Sequence, residues 1–343
     1  MFRTTTHYKY WIFDDEDELY RRRQEANHRF IQDNITWLNV KPDEAHKHFL
    51  TLAEEIALVN FYLSLLRDFC RRFNPPMPKY VTSTSIQYFK RFYLNNSVME
   101  HHPKHLIVTC VYLAAKIEEF NVTMDQFVKN VKGDREKAAD IVLNNELLLL
   151  LKINYQLIIW HPYRSIEGFL IDIKTRCPSC RDPERYRQHI DTFIDQCFLT
   201  DAFFLLCPNQ LALLAIIYAA DKFNESMDEY LRILFDGNSD EIAFLRKWMI
   251  KTNEMIRKIE PPAKNYVKQI DTKLEYVQSK TMAMNRSDSS NRPIDSDDEI
   301  DDVDDDDQIE DDTTTYPLER YSHYRSEQDR TEQNLLERSI RKK

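Results

Sequence analysis

Cys177-Pro178-Ser179-Cys180 is the clearest place in this chain to look for metal or redox chemistry. Two thiols at that spacing can close a disulfide or supply half of a tetrahedral zinc site. A structural zinc site needs a second pair of ligands, and His189 with Cys197 makes an unconvincing one. The segment therefore reads as a loop between helices. His46 and His48 stand two apart, which does not place them on one helical face. His101-His102-Pro103 has no carboxylate or thiol at metal spacing and reads as a loop entering a helix. No metal is assigned. The chain has no G-x-S-x-G and no H-E-x-x-H. Its three glycines, at 133, 168 and 237, are too isolated to build a P-loop, a dinucleotide fingerprint or a kinase phosphate loop. Carboxylates are plentiful, but no pair is marked for acid–base work. The chain reads as a non-enzyme without a cofactor.

The surrounding text is helical. Pro75, Pro76 and Pro78 end one helix, while Pro103, Pro162 and Pro208 stand where a first turn begins. A residue with fixed φ and no N–H suits that place. Leu106, Cys110, Leu113 and Ile117 step along one helical face. Residues 211–220 are apolar all round, as a helix enclosed by others would be. Pro103, Leu106, Ala114 and Ala115 recur as Pro208, Leu211, Ala219 and Ala220, at an offset of 105. Met124-Asp125-x-Phe127 recurs as Met227-Asp228-x-Tyr230, at an offset of 103. One domain-sized unit therefore appears twice. Cys70, Cys110, Cys197 and Cys207 sit in apolar helical context and read as small buried hydrophobes in a reducing compartment.

The net charge of −10 belongs to one segment, because residues 295–312 hold thirteen acids and no bases. The remainder carries +3, which is no strong footprint for nucleic acid. The longest apolar runs, 106–115 and 211–220, are too short to cross a bilayer. Met1-Phe2-Arg3-Thr4 opens no signal peptide, so a soluble intracellular protein is expected. The region beyond about 285 is poor in aromatics and rich in Asp, Ser and Thr, so it is expected to be disordered. Ser296, before Asp297-Asp298-Glu299, fits an acidophilic kinase site, although a solubilising tail also explains the run.

Residues 88–100, Tyr-Phe-Lys-Arg-Phe-Tyr-Leu-Asn-Asn-Ser-Val-Met-Glu, with Pro103 and Lys116-Ile117-Glu118-Glu119-Phe120, resemble the first cyclin box. Tyr163-Arg164, residues 167–172 and Thr200-Asp201-Ala202 agree. The resemblance runs from about Trp11 to Pro262. Within the cyclin family it is strongest to the branch that serves the CDK-activating kinase. It implies an all-α fold of two tandem five-helix boxes, flanked by N- and C-terminal helices. The boundaries expected are 1–49 for the N-terminal helix segment (helix at about 14–34), 50–160 and 161–260 for the boxes, 261–285 for a C-terminal helix, and 286–343 for a disordered acidic tail.

The same resemblance implies a non-catalytic activator in the nucleus. Its partners would be a cyclin-dependent kinase catalytic subunit, a RING-finger assembly subunit and the TFIIH core, with no direct nucleic acid and no membrane. A Mediator-associated cyclin or a cyclin-fold transcription scaffold is the alternative. In the family, a lysine late in the third helix and a glutamate in the fifth face the kinase. Lys116 and Glu146 match them, and could equally tie the two helices together. Glu119, Phe120, Leu150, Tyr155 and Leu157 are candidate contacts around the pair, with core packing the other reading for Leu150 and Leu157. The counterpart of Lys116 in the second box is Asp221. Trp11 and Phe13 are expected to hold the N-terminal helix to the boxes. Arg21-Arg22-Arg23 either faces the kinase or stays solvated, the latter slightly favoured. Many members carry Met-Arg-Ala-Ile-Leu on the first helix to recruit substrates. Here that region reads Glu54-Glu55-Ile56-Ala57-Leu58-Val59, so docking of that kind is not expected.

Overall fold

A computed structural model describes residues 2–35, 45–177, 180, 182–259 and 262–289. Ser296 and the acidic run at 295–312 lie outside the described residues. No strand occurs among those described.

Local signals set most helix starts. An N-terminal α1 (Thr6–Trp11) precedes α2 (Glu16–Ile35) and the one-turn α3 (Ala45–His48). The sequence suggests only one helix before residue 35; α1 is added because the Thr5 side chain accepts the Tyr8 N–H at 3.2 Å and caps it. The first repeat comprises α4 (Leu52–Arg72), α5 (Lys79–Asn95), α6 (Pro103–Ile117), α7 (Met124–Val128) and α8 (Arg135–Lys152). Reciprocal Thr51–Glu54 and Thr123–Gln126 capping boxes open α4 and α7, and Pro103 opens α6.

The second repeat holds α9 (Tyr163–Arg176), α10 (Arg187–Phe198), α11 (Ala202–Leu205), α12 (Pro208–Asp221), α13 (Asp228–Leu234) and α14 (Ser239–Arg257). The single turn of α11 makes six segments where five were expected. The final helix, α15 (Lys264–Ser289), runs past the boundary at 285 read from the sequence.

The two central helices are α6, packed by α4, α5 and α8, and α12, packed by α9, α10 and α14. Ala114, Ala115, Ala219 and Ala220 are wholly buried and let neighbouring backbones approach closely. Helix α5 buries 13 of its 17 residues and so has almost no solvent face. Against it lies a second apolar cluster of Trp11, Phe13, Leu19, Leu94, Phe204 and Leu205, drawn from the N-terminal segment and both repeats. The Trp11 indole donates to Gln156, and the Arg91 guanidinium lies 4.6 Å from its ring centre. The Phe13 N–H donates to the Phe204 carbonyl at 2.7 Å.

Arg23 departs from the solvated reading. It grips Asp201 through two hydrogen bonds of 2.8 Å each. Lys90 also reaches Asp201, at 3.4 Å, and donates to the Thr200 carbonyl. Burial alone would raise the Asp201 pKa, but the two cations hold it well below the usual carboxylate range. Burial opposes the Arg23 charge, and Asp201 more than offsets it. Cys207 is half-buried rather than enclosed, at the start of α12, where its N–H donates to Gln210. The Cys177 and Cys180 sulfurs are buried and 3.4 Å apart, with the Cys177 thiol donating to Cys180 and no disulfide joining them.

Candidate functional site

Helices α6 and α8 end side by side, and both end with the same backbone device. The Phe120 N–H reaches back to the Ala115 carbonyl at 2.9 Å, with Glu119 between them at φ 56°. The Tyr155 N–H reaches the Leu150 carbonyl at 2.8 Å, with Asn154 at φ 54°. This left-handed closure normally uses glycine. Here Glu119, and Tyr155 itself at φ 54°, hold left-handed backbone that costs a side chain of their kind about 1–3 kcal/mol. The closures fix where Glu119, Phe120 and Tyr155 leave their helices.

Lys116 lies one residue before the end of α6, and Glu146 lies on α8. Their side chains form an ion pair across the two helices. The Lys116 ammonium also stands 5.0 Å from the Tyr112 ring centre. Next to it, Thr84 donates to Glu118 at 2.6 Å, and His161 lies 3.4 Å from the same carboxylate oxygen. Burial pushes the Glu118 carboxyl up, but the His161 and Thr84 hydrogen bonds leave it below its ordinary value.

Helix α8 is apolar on two sides. Ala138, Val142 and Leu149 face the core. Leu143, Glu146, Leu147 and Leu150 follow at spacings of three, four and seven, which is one other helix face. On that side Leu143 is 58% exposed and Leu147 46%, followed by Tyr155 at 53% and Ile158 at 67%. Ile117, beside Lys116, is 38% exposed. Single exposed apolar residues are ordinary, but here several surround one ion pair and form an apolar patch open to solvent.

The expected residues thus divide. Lys116, Glu146, Glu119 and Tyr155 stand on this surface. Phe120 and Leu150 are half-buried, with Phe120 against Phe73 at 6.5 Å between ring centres. Leu157 also packs on the core, and its carbonyl accepts the Tyr88 hydroxyl at 2.6 Å. Trp11 and Phe13 lie in the seam between repeats. Sequence reasoning missed Leu143, Leu147 and Ile158. The available signal was the run of leucines at 147–151, too long for a helix to turn wholly inward.

The second repeat presents Asp221 where the first has Lys116, and Asp221 makes no ion pair among the described residues.

Comparison with known proteins gives this arrangement its family. Residues 57–158 match the cyclin N-terminal domain, and residues 161–289 the cyclin C-terminal domain. Cyclin-H of Xenopus laevis is 39% identical, over 83% of this chain and 89% of its own length. The CAK complex from Chaetomium thermophilum bound to ATP-γ-S contains a chain of the same fold, with a TM-score of 0.69 at 23% identity, covering 87% of this chain and 97% of that one. The yeast TFIIK complex contains another, with a TM-score of 0.58 at 26% identity, covering 74% and 99%. Two cyclin domains in tandem, together with that identity over most of both chains, place this chain in the cyclin family, on its cyclin-H branch.

Proposed function

We propose that this chain is the non-catalytic regulatory subunit of a CDK-activating kinase, and that it binds its kinase through the α6–α8 surface. The observation that carries this reading is the exposed apolar face of Leu143, Leu147, Tyr155 and Ile158 around the Lys116–Glu146 pair. The first repeat packs on the kinase's mobile αC helix. That helix carries the glutamate of the ion pair that holds the ATP phosphates, and it must be turned inward for transfer. The chain binds the inward state better and shifts the population toward it. Moving such an equilibrium from almost all inactive to almost all active needs about 5.5 kcal/mol of differential binding. Burial of several leucines and a tyrosine, with charge-assisted bonds from Lys116, Glu119 and Glu146 to exposed backbone of the partner, is of that order.

The relatives' settings, a CAK complex and a TFIIK complex, support a kinase-bound assembly. In our reading that assembly also holds a RING-finger subunit and joins the TFIIH core in the nucleus. Its targets are the activation loops of other cyclin-dependent kinases and the C-terminal repeats of RNA polymerase II. The chain supplies no catalytic group.

The test is reconstitution. The full chain, mixed with its organism's CDK-activating kinase catalytic subunit, raises phosphorylation of a polymerase-repeat peptide well above that of the kinase alone. No stimulation by a folded chain, at concentrations where the two proteins bind, overturns the proposal.

A further inference from the structure

The motif Cys177-Pro178-Ser179-Cys180 takes no part in the α6–α8 surface. Cys177 closes the end of α9, where its N–H donates to the Ile173 carbonyl at 2.9 Å. The Cys180 N–H then donates to the Cys177 carbonyl at 3.0 Å. A bond of that span closes a single turn and brings the first and last residues of the motif together. Their sulfurs are in contact at 3.4 Å, with the Cys177 thiol donating to Cys180. Both residues are buried, at 1% and 6% exposure. Cys180 also meets Tyr186, at the end of the short turn Pro183–Tyr186 that precedes α10. The Tyr186 hydroxyl donates to Glu225, in the link from α12 to α13.

The donor set separates metal from redox chemistry. A tetrahedral metal site needs four ligands, and among the described residues no group of three or more His, Cys, Asp or Glu could hold a metal ion. A disulfide needs only the two thiols. Bonding the sulfurs takes a movement of roughly 1.4 Å, within reach of side-chain rotation in a turn already formed.

We infer that Cys177 and Cys180 form a reversible redox pair, which hydrogen peroxide closes to an intramolecular disulfide and a thiol reductant reopens. One sulfur, as thiolate, attacks a peroxide oxygen. The O–O bond breaks, hydroxide leaves and a sulfenic acid forms. The second sulfur, as thiolate, attacks the first, and the S–O bond breaks as another hydroxide leaves. The two protons given up by the thiols turn both hydroxides into water. The pair loses two electrons and peroxide gains them. Contact between the sulfurs makes the second step faster than further oxidation to sulfinic acid. Burial, and then the contact with Cys177, pushes the Cys180 thiol up to about 11, so at neutral pH the pair closes slowly and only under sustained oxidant. Closure pins the end of α9 to the link that leads into α10.

The test exposes the full, reduced chain to hydrogen peroxide near neutral pH, blocks the remaining thiols and digests it with trypsin. Cleavage after Arg176 and Arg181 leaves both cysteines on one peptide, 177–181. That peptide loses two hydrogens, carries no added oxygen and is restored by dithiothreitol. A second measurement equilibrates the chain with reduced and oxidised glutathione. The ratio of disulfide to dithiol is at least about tenfold higher in the folded chain than in concentrated urea, because the folded turn raises the effective concentration of one sulfur at the other. Sulfinic or sulfonic acid as the main product overturns the inference. So do thiols that survive peroxide sufficient to oxidise the half-buried Cys207, or an equal ratio in the folded and unfolded chains. Neither readout depends on the kinase.

Discussion

The two repeats of this chain share a fold and differ in what they expose. Each encloses an apolar central helix opened by proline and closed near an Ala-Ala pair. At the end of α6 stands Lys116, paired with Glu146 amid exposed leucines. At the end of α12 stands Asp221, with no such pair. Their buried carboxylates differ too. Asp201 of the second repeat has two cations, whereas Glu55 of the first has hydrogen bonds only and is pushed up to about 7, mainly by burial. Duplication thus supplied the scaffold, and the exposed apolar patch around an ion pair came from a few side chains on one copy.

The largest effect should come from the apolar face. In a kinase titration followed by calorimetry, Leu147→Asp weakens binding about a hundredfold, as for a residue at the centre of an interface. Its circular dichroism is unchanged, because the side chain is half exposed. The matching change in α14, Ile250→Asp at a 63% exposed position, leaves affinity within about twofold. Equal losses from both would erase the distinction between the repeats.

Next comes the buried trio. Asp201→Asn leaves Arg23 and Lys90 buried without their anion and lowers stability to urea by about 3 kcal/mol. The Asp201 pKa is depressed in the folded state, so its stabilisation is complete above the unfolded value and is lost as pH falls through the folded one. Wild-type stability therefore falls in acid more steeply than that of the variant.

Glu55 gives the opposite sign. Its folded pKa is raised, so its stabilisation is complete below about pH 4.5 and is lost as pH rises through about 7. Denaturation of Glu55→Gln should show up to about 2–3 kcal/mol less decline between pH 5 and 8 than the wild type. Parallel curves would mean that Glu55 ionises as freely as a surface glutamate.

The charged pair is expected to matter least per residue. Lys116→Ala and Glu146→Ala each reduce kinase stimulation about tenfold. Each changes stability by less than about 1 kcal/mol, because the pair is partly exposed. Wild-type stimulation by both variants would leave the pair as a tie between α6 and α8.

Legibility followed distance. The prolines at 103 and 208 and the apolar steps at 106, 110, 113 and 117 act within a turn or a helix period, and the offset repeat is read directly along the chain. They determined an all-helical, duplicated chain before any packing was known. Lys116 and Glu146 are 30 residues apart, and their spacing alone gives no sign that they meet. Only the family resemblance singled them out. Which leucines of α8 turn outward depended on how far α6 covers that helix, and the run at 147–151 could not say. Arg23 and Asp201 are separated by 178 residues, and an arginine triplet on a charged helix looks solvated in its local context. The tertiary structure alone decided that pair and the seam it closes, because burial and electrostatic pairing arise from neighbours in space.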